Sequence, residues 1–259
     1  MLRWLSKALG GAATPKPDGQ TVSFLEHGPL TGPVYVVGDV HGCHALYRRL
    51  EAQILRDANT LTGSPGIVLL GDVVDRGPET ADMLDLLTDR PPTGATRLCL
   101  RGNHEDMMLN FLNNPTMTSS WLDFGGFETL MSYGLALDME TAPSPRRLQQ
   151  MLQAHIPQAH RDFLEHLPYG MQVGPYALVH AAIDVAAPLD RQPRQTVLWG
   201  DPVDAGPHDV TVIHGHTIVP QPIIEEGRIA LDTGAYDTGV LTAVRLHPDM
   251  PPKILQCHA

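Results

Sequence analysis

Five short apolar runs along the chain each stop abruptly at glycine, aspartate, asparagine or histidine. Val34-Tyr35-Val36-Val37 runs into Gly38-Asp39, Ile67-Val68-Leu69-Leu70 into Gly71-Asp72, and Arg97-Leu98-Cys99-Leu100 into Arg101-Gly102-Asn103-His104. Tyr176-Ala177-Leu178-Val179 ends at His180, and Val210-Thr211-Val212-Ile213 at His214-Gly215-His216. Runs this short and rich in β-branched residues predict buried strands. Helix-like stretches over 45–57 and 79–88 separate the early runs. Strands alternating with helices predict an α/β fold with parallel pairings. Ligand sites in such sheets gather at the carboxyl ends of the strands, and all five polar clusters occupy that position.

Beyond His104 the pattern changes. Residues 105–170 look helical, with Trp121, Phe124, Phe127 and Leu130 at near-helical spacing, and predict a helical cap over one edge of the site. From Pro202 onward strand candidates return at 210–213, 222–225, 228–232 and 240–246. Residues 1–20 hold Arg3 and Lys7 among a few apolar residues, then Pro15, Pro17 and Gly19. That apolar core is too short and interrupted for a signal peptide, so a flexible N-terminal arm is expected there, followed by a single domain over 21–259.

Composition narrows the partners. Lys and Arg number 18 against 29 Asp and Glu, a formal charge of −11. Nucleic acid and anionic membranes require a basic footprint, so neither is expected as a partner. No apolar stretch is long enough to span a bilayer. Cys43, Cys99 and Cys257 are widely spaced and suit free thiols in a reducing compartment, which makes the cytoplasm the expected location. Thirteen histidines invite a search for a metal site. Bound cations would also give an acidic protein the local positive charge needed to attract an anion.

Asp39 and His41, in Gly38-Asp39-Val40-His41-Gly42, lie two residues apart. Extended backbone projects such a pair to one side, where carboxylate and imidazole can grip a divalent first-row metal. Alone this is a weak signal, because Asp and His at strand ends often merely cap or hydrogen-bond. Asp72 holds the equivalent place in Gly71-Asp72-Val73-Val74-Asp75-Arg76-Gly77-Pro78, and one carboxylate can bridge two cations. Asn103, in Arg101-Gly102-Asn103-His104-Glu105, offers an oxygen ligand. The adjacent His104 projects differently and stays free for acid–base work.

Taken in order, GDVHG, GDVVDRG and RGNHE resemble the phosphoprotein phosphatase branch of the metallophosphoesterase superfamily. The three blocks are roughly thirty residues apart, one βα unit apiece. His180 in LVHAAID, His216 in HGHT and Asp232 in ALDTGA extend the likeness over residues 33–245. The segment WLDFGGFETLMSYG over 121–134 is similar to bacterial and phage lambda type Ser/Thr protein phosphatases, with symmetrical diadenosine tetraphosphatases as near relatives.

The resemblance implies two packed β-sheets flanked by helices, and two divalent metal ions. Mn²⁺ is favoured, with Fe, Zn, Ni or Co as alternatives. Asp39 and His41, with Asp72 as bridge, would hold the first ion; Asp72, Asn103, His180 and His216 would hold the second. His104 would be the general acid, oriented by Asp75, while Arg76 and Arg101 would clamp phosphoryl oxygens. The implied activity is hydrolysis of phosphomonoesters on phosphoserine or phosphothreonine of a protein or peptide, by direct attack of a hydroxide bridging the metals. The alternatives are a symmetrical dinucleoside polyphosphate hydrolase and a metal-binding pseudophosphatase that recognises phosphorylated partners without cleaving them. Small phosphate esters are further candidate substrates, and a monomer is expected.

The chain departs from that pattern in places. No arginine lies between Arg194 and Arg228, although relatives place a phosphate-binding arginine in or just after the block Val197-Leu198-Trp199-Gly200-Asp201-Pro202. Arg191 and Arg194 are the candidate substitutes, and a looser phosphate clamp is expected. Phe124 stands where bacterial relatives often carry a polar residue. His155, His160 and His166 are expected on the surface or in packing, and His214 behind the metal ligands at most. Met107, Met108 and Met131 are expected to fill core, and Cys43 to be a buried structural thiol.

Overall fold

A computed structural model of the chain describes residues 19–138, 141–202 and 210–259. The expected arm over 1–20 thus lies almost wholly outside the described residues. In chain order the strands are β1 (Thr21–Val22), β2 (Leu25–Glu26), β3 (Val34–Val37), β4 (Gly66–Leu69), β5 (Thr96–Cys99), β6 (Gly170–Val173) and β7 (Tyr176–Val179). They continue with β8 (Gln192–Pro193), β9 (Thr211–His214), β10 (Ile223–Glu225), β11 (Arg228–Ala230), β12 (Val240–His247) and β13 (Met250–His258). The helices are α1 (His44–Ala58), α2 (Thr80–Thr88), α3 (Asn103–Asn113), α4 (Phe127–Ser132), α5 (Pro145–His155), α6 (Gln158–Glu165), α7 (Arg194–Trp199) and α8 (Ala235–Thr238). A π-helical turn over Leu122–Gly126 leads into α4.

The strands build the two expected sheets. One is five-stranded in the order β13-β12-β3-β4-β5, the other six-stranded in the order β10-β11-β9-β7-β6-β2, and β1 pairs separately with β8. Strands β3, β4 and β5 run parallel, as do β7, β9 and β11, while β12 joins β3 antiparallel.

Side-chain alternation explains why the early strands read as unbroken apolar runs. Val34, Val36, Val68, Leu70 and Leu100 pack against Met171, Val173, Leu178, Ile213, Ile229 and Leu231 of the second sheet. Tyr35, Val37, Ile67, Leu69 and Cys99 belong to the helical side, with Leu46, Tyr47, Leu50, Met83, Leu84 and Phe111. A strand buried on both faces needs apolar residues at every position, and each such side chain contributes roughly 1.5–3 kcal/mol on burial.

Residues 105–170 are mostly helical, in separate pieces: α3, the π-helical turn with α4, α5 and α6, with Gly125 breaking the turn at φ 108°. Strands β1, β2, β6, β8 and β13 were not anticipated; Pro251 and Pro252 disguise β13, which tolerates them because it is an edge strand. Met131 is 65% exposed rather than core filling, although Met108 is buried. Among the described residues no helix is long and apolar enough to cross a membrane.

Near the end of α1, the Asp57 carboxylate accepts from Tyr35 Oη (2.8 Å), Arg245 Nη1 (3.2 Å) and Lys253 Nζ (2.5 Å), joining the helix to β3, β12 and β13. Burial works to raise its pKa, but the hydrogen bonds from Lys253, Tyr35 and Arg245 outweigh burial and hold the carboxyl below its ordinary value. A depressed carboxylate pKa stabilises the fold above the unfolded value, about 3.9, and that contribution disappears as pH falls through the lower folded value. Asp57→Asn is therefore expected to lower Tm by roughly 2–4 °C at neutral pH. The gap to the unmodified protein should close below about pH 4 in a pH series of thermal melts.

Candidate metal and phosphoester site

The carboxyl ends of β3, β4, β5, β7 and β9 deliver the candidate residues to one place. Asp39 and His41 follow β3, Asp72 and Asp75 follow β4, Asn103 and His104 open α3, and His180 and His216 follow β7 and β9. Among the described non-glycine residues, those with positive φ are His41 (45°), Asp72 (47°), Asp75 (70°), Arg76 (67°) and His216 (60°). Every one is a predicted site residue. Left-handed backbone costs a non-glycine residue roughly 1–2 kcal/mol, so the surroundings must hold these loops in place.

They do so by hydrogen bonding. The buried Glu105 carboxylate accepts Gly102 N (2.8 Å), Asp72 N (2.8 Å), Val73 N (2.7 Å) and Val74 N (3.3 Å). Val40 N and His41 N donate to Asp72 O at 3.1 and 2.8 Å, zipping the β3 and β4 loops together. A side chain at Gly102 would strike Asp72 Oδ1, and one at Gly215 would strike Asp39 Oδ1, so only glycine fits at either place.

Asp72 stands at the centre of the imidazoles. Its Oδ1 accepts His104 N at 3.0 Å, while Oδ2 lies 3.5 Å from His180 Nε2, 3.7 Å from His41 Nε2 and 3.9 Å from His104 Nε2. Asn103 Oδ1 is 2.8 Å from His180 Nε2 and 3.1 Å from His216 Nδ1. Two ligand atoms each about 2.1 Å from one cation at a right angle lie about 3 Å apart, so this spacing suits a shared ion. His41 Nδ1 meets Val74 O at 2.9 Å and His180 Nδ1 meets Leu70 O at 3.1 Å. Those carbonyls fix the tautomers and leave Nε2 as the inward lone pair. His41–Asp72–His104 and Asp72–His180–His216 each bring their ligand atoms within 4.8 Å of one another.

The charges suit a cation as well. Burial, and then the like charges of Asp232 and Asp72, push the Asp39 carboxyl well above its ordinary value. A cation among these buried acids would remove that penalty. Burial works to raise the Asp72 pKa, but the imidazoles of His180, His104 and His41 hold it below normal. Burial keeps His41, His180 and His216 below the ordinary imidazole value, His216 at about 4, so each presents a neutral ring to a ligand. Asp39 itself accepts His216 N at 3.1 Å.

His104 is held differently. Its Nδ1 lies 2.7 Å from Asp75 Oδ2, and its Nε2 is 3.2 Å from Arg76 Nη2. Burial alone would lower its pKa, but the Asp72 and Asp75 carboxylates outweigh burial and raise it. Asp75 receives Trp121 Nε1 (2.8 Å) and Thr129 Oγ1 (2.7 Å). The Arg76 guanidinium sits 4.6 Å above the Tyr236 ring. Three aromatic side chains meet site imidazoles edge to face: Tyr236 at His41 (5.3 Å), Phe124 at His104 (6.5 Å) and Trp199 at His216 (6.2 Å).

Residues 32–240 match the calcineurin-like phosphoesterase family. The chain belongs to that family. It is therefore a metallophosphoesterase, a phosphoric ester hydrolase, and the family implies divalent metal ions, for which the cluster supplies candidate ligands. The asymmetrical bis(5'-nucleosyl)-tetraphosphatase PrpE of Geobacillus thermodenitrificans is 27% identical, over 83% of this chain and 90% of its own. The protein of the same name from Anoxybacillus flavithermus is 25% identical, with the same coverage of 83% and 90%. A solved structure provisionally described as a diadenosine tetraphosphatase superposes with TM-score 0.62 at 22% identity, covering 91% of this chain and 98% of that one. A protein serine/threonine phosphatase of Saccharomyces cerevisiae superposes with TM-score 0.57 at 17% identity, covering 92% and 84%. At such identities these two structures share the fold.

Other residues of the phosphoesterase lie outside the two ligand groups. Arg101, expected to clamp phosphate, donates through Nη2 to Leu164 O and Glu165 O at 2.8 Å each, and lies 5.0 Å over the Tyr169 ring. It fastens α6 to the back of the site. Arg194 donates to Asp106 and to Tyr169 Oη (3.2 Å), while Arg191 is exposed. His214 meets Arg228 Nε at 3.0 Å and Gly215 O at 2.9 Å, clear of the ligand groups. His160 is a packing residue, spanning Tyr133 Oη (2.8 Å) and Asp85 (3.0 Å). Cys43 is half-buried rather than buried, and burial with the Glu79 charge pushes its thiol up to about 11. Glu105, Trp121, Thr129 and Tyr236 were given no site role from sequence, and only Glu105 carried a signal, its third-position spacing after Gly102 at a helix start. Asp72→Asn alters the carboxylate common to both ligand groups. It is expected to abolish phosphoesterase turnover and to weaken divalent-metal binding measured by calorimetry.

Proposed function

We propose that this phosphoesterase hydrolyses dinucleoside polyphosphates by an off-centre cut. The observation that carries the reading is the rim formed by Phe124, Trp199 and Tyr236 around the imidazoles. Aromatic faces beside a phosphate-cleaving centre suit a nucleobase, and base–aromatic stacking contributes about 1–3 kcal/mol. The names of the two sequence relatives support the same substrate, and their asymmetrical cleavage is the regiochemistry we assign, in place of the symmetrical cut that was the alternative reading of the sequence. Hydrolysis of phosphoserine or phosphothreonine, the favoured expectation from sequence, becomes the second reading, supported by the segment over 121–134.

In this reading Asp39, His41 and Asp72 would hold one cation, and Asp72, Asn103, His180 and His216 the other, with Mn²⁺ as the ion assigned. Such a pair, when bound, acidifies water and neutralises charge on the phosphoryl group. Arg76, steadied by the Tyr236 ring, steers a phosphoryl oxygen toward His104. Nε2 of His104 accepts Arg76 Nη2 here; once that guanidinium turns to the phosphoryl group, His104 takes up a proton on Nε2 and gives it to the leaving oxygen. Asp75 keeps the other ring proton on Nδ1, and Trp121 and Thr129 keep Asp75 from turning away.

With Mn²⁺ and diadenosine tetraphosphate, the expected products are adenosine mono- and triphosphate. Two diphosphates would mean a central cut, and turnover of a phosphopeptide with the dinucleotide left intact would install the second reading. Phe124→Ala is expected to raise KM for the dinucleotide about tenfold and to leave KM for a small aryl phosphate unchanged. His104→Ala should slow cleavage of an alkyl phosphate by about 10²–10⁴-fold. A phosphate leaving group is a weaker base than an alkoxide, so the dinucleotide should suffer less in parallel assays.

A further inference from the structure

The backbone around Gly71 and Asp72 explains why one carboxylate can collect so many donors. Positive φ at Gly71 (100°) and Asp72 (47°) turns successive N–H groups to one side, a concavity that binds anions. Here the anion belongs to the chain. Glu105 Oε2 takes Gly102 N and Asp72 N at 2.8 Å each, and Oε1 takes Val73 N at 2.7 Å and Val74 N at 3.3 Å. Glu105 is fully buried, so no water competes for these donors.

The clamp also fixes where the Asp72 side chain goes. With its N–H held by Glu105, Asp72 has its carboxylate at the start of α3, where Oδ1 accepts His104 N. That leaves Oδ2 nearly equidistant from His180 Nε2 (3.5 Å) and His41 Nε2 (3.7 Å), facing both ligand groups. We infer that Glu105 is a positioning residue for the metal pair: it touches neither cation nor substrate, but sets the place of the oxygen the two ligand groups share. The inference rests on the ligand assignment proposed above and is independent of the substrate.

Glutamine is a demanding probe, because a carboxylate offers about four acceptor sites and an amide oxygen two. Its NH₂ would face either the Gly102 and Asp72 donors or the Val73 and Val74 donors. Glu105→Gln is expected to bind Mn²⁺ about 10–100-fold more weakly by calorimetry, and the electron paramagnetic resonance signature of the coupled Mn²⁺ pair should change. Asp57→Asn, remote from the loops, serves as a control for destabilisation and should bind Mn²⁺ like the unmodified protein. Glu105→Asp keeps the charge but is one methylene short of spanning both loops; it should fold and show the same loss, and it decides the matter if Glu105→Gln does not fold. Unchanged Mn²⁺ affinity and pair signature in a folded Glu105 variant would overturn the inference, as would an equal loss in Asp57→Asn. If the unmodified protein bound no coupled Mn²⁺ pair, the ligand assignment would fail first.

Discussion

Gly102 N, Asp72 N, Val73 N and Val74 N all donate to the Glu105 carboxylate, and the geometry of the site follows from that convergence. Loops held in left-handed backbone at His41, Asp72, Asp75 and Arg76 would relax without a counterweight. Glu105 supplies it from the first turn of α3, the helix that also presents Asn103 and His104. One short segment thus carries a candidate ligand, a candidate acid and the anchor that orients the shared carboxylate.

The cap has a second duty besides covering the site. Trp121 and Thr129 hold Asp75, and Asp75 holds His104, so the His104 imidazole is aligned from the cap as much as from the sheet. Arg101 runs the other way, from the site loop to the carbonyls closing α6. Between α2 and α6, His160 bridges Asp85 and Tyr133. These bonds make the cap and the site loops one mechanical unit, and they use side chains that motif reading alone assigns to phosphate or to packing.

Much of this was legible in the sequence because the strands that lead into the site announce themselves by apolar runs and the candidate ligands by their place at the ends of those runs. The run before Asp72 and the run before His180 needed no partner information to be recognised. What stayed hidden depends on contacts distant in sequence. Nothing near Trp121 reveals that its indole reaches Asp75, and nothing near Tyr236 reveals the guanidinium of Arg76 above it. Arg101 shows the same limit: its motif indicates a phosphate, and nothing near it reveals carbonyl partners some sixty residues further along the chain. Strand β13 was missed because its prolines suppress the strand pattern that an edge position tolerates.

The candidate ligands are divided between the two layers of the sandwich. Asp39, His41, Asp72 and Asn103 follow strands of the five-stranded sheet, whereas His180 and His216 follow strands of the six-stranded one. Asn103 and His180 already meet across that divide at 2.8 Å. An ion shared by both would act as a rivet between the layers at their open edge, where the apolar filling ends. Loading would then feed directly into the resistance of the whole sandwich to shear, and a chelator would loosen the architecture as well as silence the chemistry.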